Sequence, residues 1–156
     1  MQLRHAFAIT VAAAALVGCA TRQTEVTSGT TATGTVSAGG GMTMTAQLAS
    51  QGGSTVTGTA SATHGADANS FRANVSITGA SPSATHPWHI HAGRCGDNGP
   101  IVGPGSAYPV LQADANGTAT VNTTVPVAMP TGPLYVNIHA SPTQMGTIVA
   151  CGNLTM

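Results

Sequence analysis

The sequence predicts an all-β domain, an antiparallel sandwich or barrel of short strands. From Met42 onward, β-branched residues alternate with small polar ones, and turn signals recur at intervals of roughly eight to twelve residues. No stretch beyond the N-terminal segment keeps the 3.6-residue period of an amphipathic helix. Many short strands at this spacing are typical of antiparallel sandwiches and barrels.

Eight stretches meet the strand criteria, because each combines β-branched or aromatic residues with period-2 alternation. They are residues 42–49, 55–63, 71–78, 88–92, 107–112, 117–125, 135–140 and 147–154. Turns are expected where glycine, proline, asparagine and aspartate cluster, at residues 51–53, 64–67, 114–117 and 130–133.

The N-terminus reads as an export signal with a lipid attachment point. Arg4 precedes an apolar run over residues 6–17, and the following Leu-Val-Gly-Cys, ending at Cys19, resembles the lipobox of bacterial lipoproteins. We therefore expect a signal peptide at 1–18, a lipidated Thr/Ser/Gly-rich tether at 19–41, and a folded domain at 42–156. Ala20 rather than aspartate after the cysteine predicts an outer-membrane anchor facing the periplasm. An ordinary secretory signal with a chance cysteine is the alternative.

The composition excludes some classes of partner and favours one cross-link. The chain has four basic and four acidic residues and no lysine, so nucleic-acid binding is not expected and electrostatic steering of small anions is weak. Cys95 and Cys151 remain after Cys19 is assigned to the lipid. Because an exported domain folds in an oxidising compartment, we expect these two cysteines to form a disulfide.

The stretch His-Pro-Trp-His-Ile-His-Ala-Gly-Arg-Cys, residues 86–95, suggests a metal site. Successive side chains of a strand point to opposite faces, so Trp88 and Ile90 should face the core while His89 and His91 share the outer face. In the strand at 135–140 the same parity places His139 on the outer face. Three imidazoles suit copper or zinc better than magnesium or calcium, which prefer oxygen ligands.

The other histidines and the methionines are weaker candidates. His64 is expected to be exposed in a turn, His86 lies next to Pro87 and is expected to make a structural hydrogen bond, and His5 leaves with the signal. Met145 follows His139 in a loop that would overhang the histidines, so its thioether is a further candidate ligand. Met42 and Met44 share a strand face, and apolar filling is the simpler interpretation for them.

The order of these motifs resembles the copper/zinc superoxide dismutase superfamily over most of residues 46–154. Residues 76–91, ending in His-Pro-Trp-His-Ile-His, resemble its strand and loop leading to H-G-F-H-V-H, and residues 135–140 and 148–152 resemble V-V-V-H-A and R-L-A-C-G. The resemblance implies an eight-stranded Greek-key sandwich, immunoglobulin-like in architecture, with a Cys95–Cys151 bridge. It also implies copper ligands at His89, His91 and His139, with His86 structural.

The departures from that family bear on the reaction. No histidine lies between His91 and His139, so the bridging ligand and the zinc site are missing and zinc is not expected. Ile148 replaces the arginine before Ala-Cys-Gly that is thought to guide superoxide. Without that arginine the anion loses its docking partner, so no catalytic residue is assigned.

A second resemblance is to the CHRD domain, a related sandwich of secreted proteins. It is carried by His-Ile-His-Ala-Gly at 89–93, Asn-Gly-Pro-Ile-Val at 98–102 and Tyr-Val-Asn-Ile-His at 135–139. The cysteine pair favours the resemblance to the dismutases, and the short loop at residues 96–109 favours the resemblance to the CHRD domain. The leading hypothesis is an envelope lipoprotein that binds copper for handling or sequestration. A copper-only, zinc-free dismutase and a metal-free CHRD-like structural or adhesion domain are the alternatives.

Overall fold

Nine β-strands and one short 3₁₀ turn make up the part of the chain that the computed structural model describes, residues 41–156. The strands are β1 (Thr43–Ser50), β2 (Thr57–His64), β3 (Phe71–Thr78), β4 (Thr85–His86), β5 (Trp88–Ala92), β6 (Leu111–Gln112), β7 (Ala119–Val125), β8 (Leu134–His139) and β9 (Ile148–Leu154). The 3₁₀ turn spans Gly105–Ala107. The predicted all-β class is confirmed, and β3 and β5 have the predicted bounds.

Seven strands form one antiparallel sheet in the order β5-β8-β9-β1-β2-β3-β7, and β4 pairs with β6 in a two-stranded sheet. Strand β1 joins the two halves of the large sheet. Its residues 43–48 pair with β2, whereas Ala49 and Ser50 pair with β9. The two halves share one hydrophobic core, as the predicted sandwich requires.

The core is built by the alternation read from the sequence, because one face of each strand carries apolar side chains. Strand β3 supplies Phe71, Val75 and Ile77, each fully buried. Its other face is polar, and there Asn74 donates a hydrogen bond to Asn122 of β7. This alternation fixes the register, since a slip of one residue would exchange the two faces.

The predicted strand at 107–112 is wrong over most of its length. Only Leu111 and Gln112 pair, because the 3₁₀ turn occupies the start and Pro109 has no N–H for a ladder. Its pairing partner β4 was not predicted, since two residues are too short to show a period. His64 closes β2 rather than lying in a turn, and it is exposed as expected.

The predicted disulfide is confirmed, because Cys95 and Cys151 are bonded to each other. It joins the segment after β5 to β9. The predicted signal peptide and nearly all of the tether lie outside the described residues, so the boundaries at 18 and 41 stay predictions. Within residues 41–156, no helix is long and apolar enough to cross a membrane.

Candidate metal centre

Strands β5 and β8 lie side by side and carry the three candidate ligands. In their antiparallel pairing Trp88 faces Ile138 and His89 faces Asn137. The predicted parity is confirmed, since Trp88 and Ile90 lie in the core while His89 and His91 lie on the opposite face. His139 closes β8 at an irregularity in its pairing with β9.

The three imidazoles converge on one point. The ring centroid of His139 lies 5.2 Å from that of His89 and 6.3 Å from that of His91. The centroids of His89 and His91 are 5.9 Å apart. One nitrogen from each ring lies within 4.8 Å of the others, so the cluster can hold a metal ion. Among residues 41–156 no carboxylate or thiolate joins this group.

The three histidines lie on the predicted face, opposite the core, but they are buried. They are at most 9% exposed, because residues 93–110 fold over them. This segment follows the edge of β5: Ala92 donates its N–H to the carbonyl of Pro100, and Val102 donates to the carbonyl of Ile90. Ile101 forms a bridge with His91. The face of β5 and β8 that lies opposite the core is therefore covered by residues 93–110.

Backbone carbonyls fix the tautomers of two rings. The Nδ1–H of His91 donates to the carbonyl of Gly99 at 2.8 Å, and that of His139 donates to the carbonyl of Met145. A carbonyl can only accept, so both Nε2 atoms carry lone pairs. His89 Nδ1 lies 3.2 Å from Nε2 of His139 and donates to it without metal. Nε2 of His91 is buried with no partner among the described residues.

Both tyrosines of the chain pack against this cluster. The Tyr135 ring stacks on His91 with centroids 5.1 Å apart, and its hydroxyl accepts the N–H of Gly99. The Tyr108 ring meets His89 edge-on at 5.3 Å, and its hydroxyl donates to the carbonyl of Val102. Sequence reasoning missed these roles. The signal was scarcity, since a chain with only two tyrosines uses both at one site.

Burial favours the neutral form of His89 and of His139. Desolvation, with the neighbouring His139 and His91, lowers the pKa of His89 to about 4. Desolvation also lowers the pKa of His139, although the carbonyl of Met145 opposes this shift. Burial raises the pKa of the Tyr108 hydroxyl. Neutral imidazoles are the form that binds metal, so protons compete little at neutral pH.

We expect the metal-free chain to lose stability in acid. The unfolded His89 has a pKa of about 6.5, whereas the folded one has a pKa of about 4, so the unfolded state binds more protons between these values. The contribution is present above pH 6.5 and is lost as the pH falls toward 4, by about 3 kcal/mol. Urea unfolding at pH 7 and pH 4.5 measures it.

The variant His89→Gln supplies the comparison for this pH dependence, because it removes the titrating group. His89→Gln should remove most of the loss of stability in acid. His64→Gln, at an exposed position, should leave that loss unchanged. With four acidic residues in the chain, the carboxylate background is small. Equal acid loss in all three proteins would contradict the assignment.

The other residues singled out from the sequence have separate positions. His86 is buried and its Nδ1–H donates to the carbonyl of His139 at 2.9 Å, which agrees with a structural role. Trp88 donates its Nε1–H to the carbonyl of Pro109. Met145 contacts the site through its carbonyl, and its side chain is 38% exposed, so a thioether ligand stays a prediction. Met42 is exposed and Met44 packs against the core.

Fold and site together define an antiparallel β-sandwich domain with a buried three-histidine cluster on one sheet face. The comparison with protein families gives the particular class. The chain belongs to the CHRD domain family, whose model matches residues 13–148. The CHRD resemblance read from the sequence is therefore confirmed. The search of curated proteins finds no match.

Proposed function

We propose that this protein binds one copper ion through His89, His91 and His139. The observation that carries the proposal is the convergence of three ligand nitrogens within 4.8 Å from two neighbouring strands. The unpartnered Nε2 of His91 supports it, because a buried lone pair without a partner costs free energy that a bound metal would recover. The residues present therefore fit such an ion.

The donor set favours copper. Imidazole ligands suit zinc, copper, iron and nickel, and among divalent first-row metals a given site binds Cu²⁺ most tightly. Zinc shares the preference for imidazole but follows copper in that order. Within residues 41–156 no second group of ligands adjoins the cluster, so we propose a single copper and no zinc companion.

We propose that the copper is held for handling or sequestration rather than for fast catalysis. The resemblance to copper/zinc superoxide dismutases implies a Cys95–Cys151 bond and a structural role for His86, and both features are present. The residue corresponding to the guiding arginine is Ile148. With no cation there, superoxide lacks a docking partner and the dismutase alternative is disfavoured.

Copper titration of the full chain tests the proposal, with zinc as competitor. We expect one copper per chain, displaced by zinc only at large excess. The loaded protein should be more stable than the metal-free chain at pH 7 and should lose this added stability in acid, because protons displace the metal from the imidazoles. A dismutase assay on the loaded protein should give no more activity than free copper ion. No copper binding, or preferential zinc binding, would contradict the proposal. Dismutase activity well above free copper would favour the enzyme alternative.

We further propose that the protein is anchored to the outer membrane by lipid on Cys19. The variant Cys19→Ser should accumulate as a longer, unprocessed precursor in the inner-membrane fraction, because cleavage and acylation require the thiol and the uncleaved apolar signal is retained. Metabolic labelling with a radioactive fatty acid should mark the unchanged protein alone. Normal processing and outer-membrane location of the variant, or equal fatty-acid labelling of both forms, would overturn the anchor. Copper binding by the purified variant should be unaffected.

The carbonyl that orients His91 depends on a glycine. A Cβ atom on Gly99 would lie 1.7 Å from the carbonyl oxygen of Ala92, so Gly99→Ala must displace this segment. The displacement removes the hydrogen-bond partner of His91 Nδ1. We expect copper affinity to fall by about 10–100-fold, as for other partners that orient ligands.

Gly146→Ala is the matched control, because a Cβ at Gly146 meets nothing within 4 Å. Its copper affinity should equal that of the unchanged protein. Competition titration against a chelator of known affinity compares the three proteins. Equal affinities for Gly99→Ala and the unchanged protein would show that the carbonyl does not matter for ligation.

A further inference from the structure

A cavity of about 310 Å³ lies beside the metal cluster. Its wall contains the Cys95–Cys151 disulfide, the amide side chains of Asn137, Asn98 and Gln51, and the apolar side chain of Ile148. No charged residue lines it. This volume is at the lower end of those that hold small molecules.

Among the amide side chains of this wall, Asn137 is the buried one, whereas Gln51 and Asn98 are exposed. The residue is 8% exposed, yet its side-chain amide makes no hydrogen bond to any described residue. Among the described residues, the Nε2 atoms of His86 and His91 are fully enclosed and have no partner. The amide of Asn137 is not enclosed in this way. The amide therefore faces the cavity, where it offers two N–H donors and a carbonyl acceptor.

The position of Asn137 connects the cavity to the metal cluster. On β8 it lies two residues before His139 and on the same face. It pairs directly with His89 of β5 on one side and with Cys151 of β9 on the other. Directly opposed residues have Cβ atoms about 4.5–5.5 Å apart, so a molecule held by the amide would lie next to the ligand His89.

We propose that this cavity is a binding subsite for a small uncharged molecule that both donates and accepts hydrogen bonds, such as hydrogen peroxide. The inference rests on the proposed copper function, because it names the class of molecule brought to that site. An anion such as superoxide would enter a wall with no cation and an apolar side chain at Ile148, and would lose hydration without compensation. A neutral molecule pairs with both ends of the Asn137 amide.

NMR of the ¹⁵N-labelled, metal-free full chain tests the subsite with two probes, hydrogen peroxide and azide. Hydrogen peroxide should shift the side-chain NH₂ signal of Asn137 in a saturable way, and azide should bind at least about tenfold more weakly. Asn137→Leu should abolish peroxide binding. Asn122→Leu is the matched control, because that amide lies on the polar outer face of β7 and is paired with Asn74. It should bind peroxide normally.

A second variant tests the charge argument. Ile148→Arg places a cation in the cavity wall and should reverse the order, so that azide binds more tightly than peroxide. Preference of the unchanged protein for azide, or an unmoved Asn137 signal at saturating peroxide, would overturn the subsite. Copper titration is scored separately. If peroxide binds and copper does not, the subsite stands and the copper function fails. If copper binds and the Asn137 signal does not move, the copper function stands and the subsite fails.

Discussion

His139→Ala should weaken copper binding by more than about 100-fold, a larger loss than removal of an orienting partner causes. His139 is the only one of the three ligands on β8, so its loss leaves two imidazoles on β5. It also removes the acceptor for the Nδ1–H of His89, which loses its only hydrogen bond to a described side chain. Competition titration against a chelator, together with the visible absorption of the copper complex, measures both affinity and ligand number.

The comparison for this result is His64→Ala, because His64 is exposed at the end of β2 and does not belong to the cluster. Its copper affinity should match that of the unchanged protein. The hydrogen bond from the His86 side chain to the main-chain carbonyl of residue 139 can still form in the alanine variant, so we expect it to fold, and circular dichroism checks this. An affinity unchanged by His139→Ala would mean that no site spans the two strands.

The period-2 pattern predicted which face each ligand occupies, because parity on a strand leaves only two choices. It placed Trp88 and Ile90 in the core and the histidines opposite, as the structure has them. It gave no information on which strands are neighbours. The pairing of β5 with β8 joins residues far apart in sequence. Parity made His139 a candidate, and the family resemblances implied that it shares one site with His89 and His91.

The burial of the cluster was not predictable from the strands. It depends on residues 93–110, in which the sequence predicted only the start of a strand, at 107–110. Their hydrogen bonds to the edge of β5, such as Val102 to Ile90, require the tertiary position of the segment. The same segment explains the wrong strand at 107–112, because Tyr108 leaves the ladder to pack against Trp88. Loops that depend on long-range contacts carry little local signal.

Replacing both cysteines, Cys95→Ala with Cys151→Ala, should lower the free energy of unfolding by about 4 kcal/mol on the chain-entropy model. The estimate follows from a sequence separation of 56 residues between the bridged positions. With urea slopes typical of small domains, the midpoint should fall by roughly 2 M. Urea unfolding of the variant and of the unchanged protein, oxidised and reduced, measures the effect; the reduced protein should resemble the variant.

The bond should matter to the metal site as well as to stability. Cys95 lies near the start of residues 93–110, which cover the histidines, and four residues later the Gly99 carbonyl orients His91. Cys95 also donates its main-chain N–H to the Asn153 side chain of β9, so this end of the segment keeps one attachment without the disulfide. Copper affinity should therefore fall by about 10–100-fold, as for a weakened orienting partner, and less than in His139→Ala. If the folded double variant binds copper as tightly as the unchanged protein, the hydrogen bonds along β5 alone hold the segment in place.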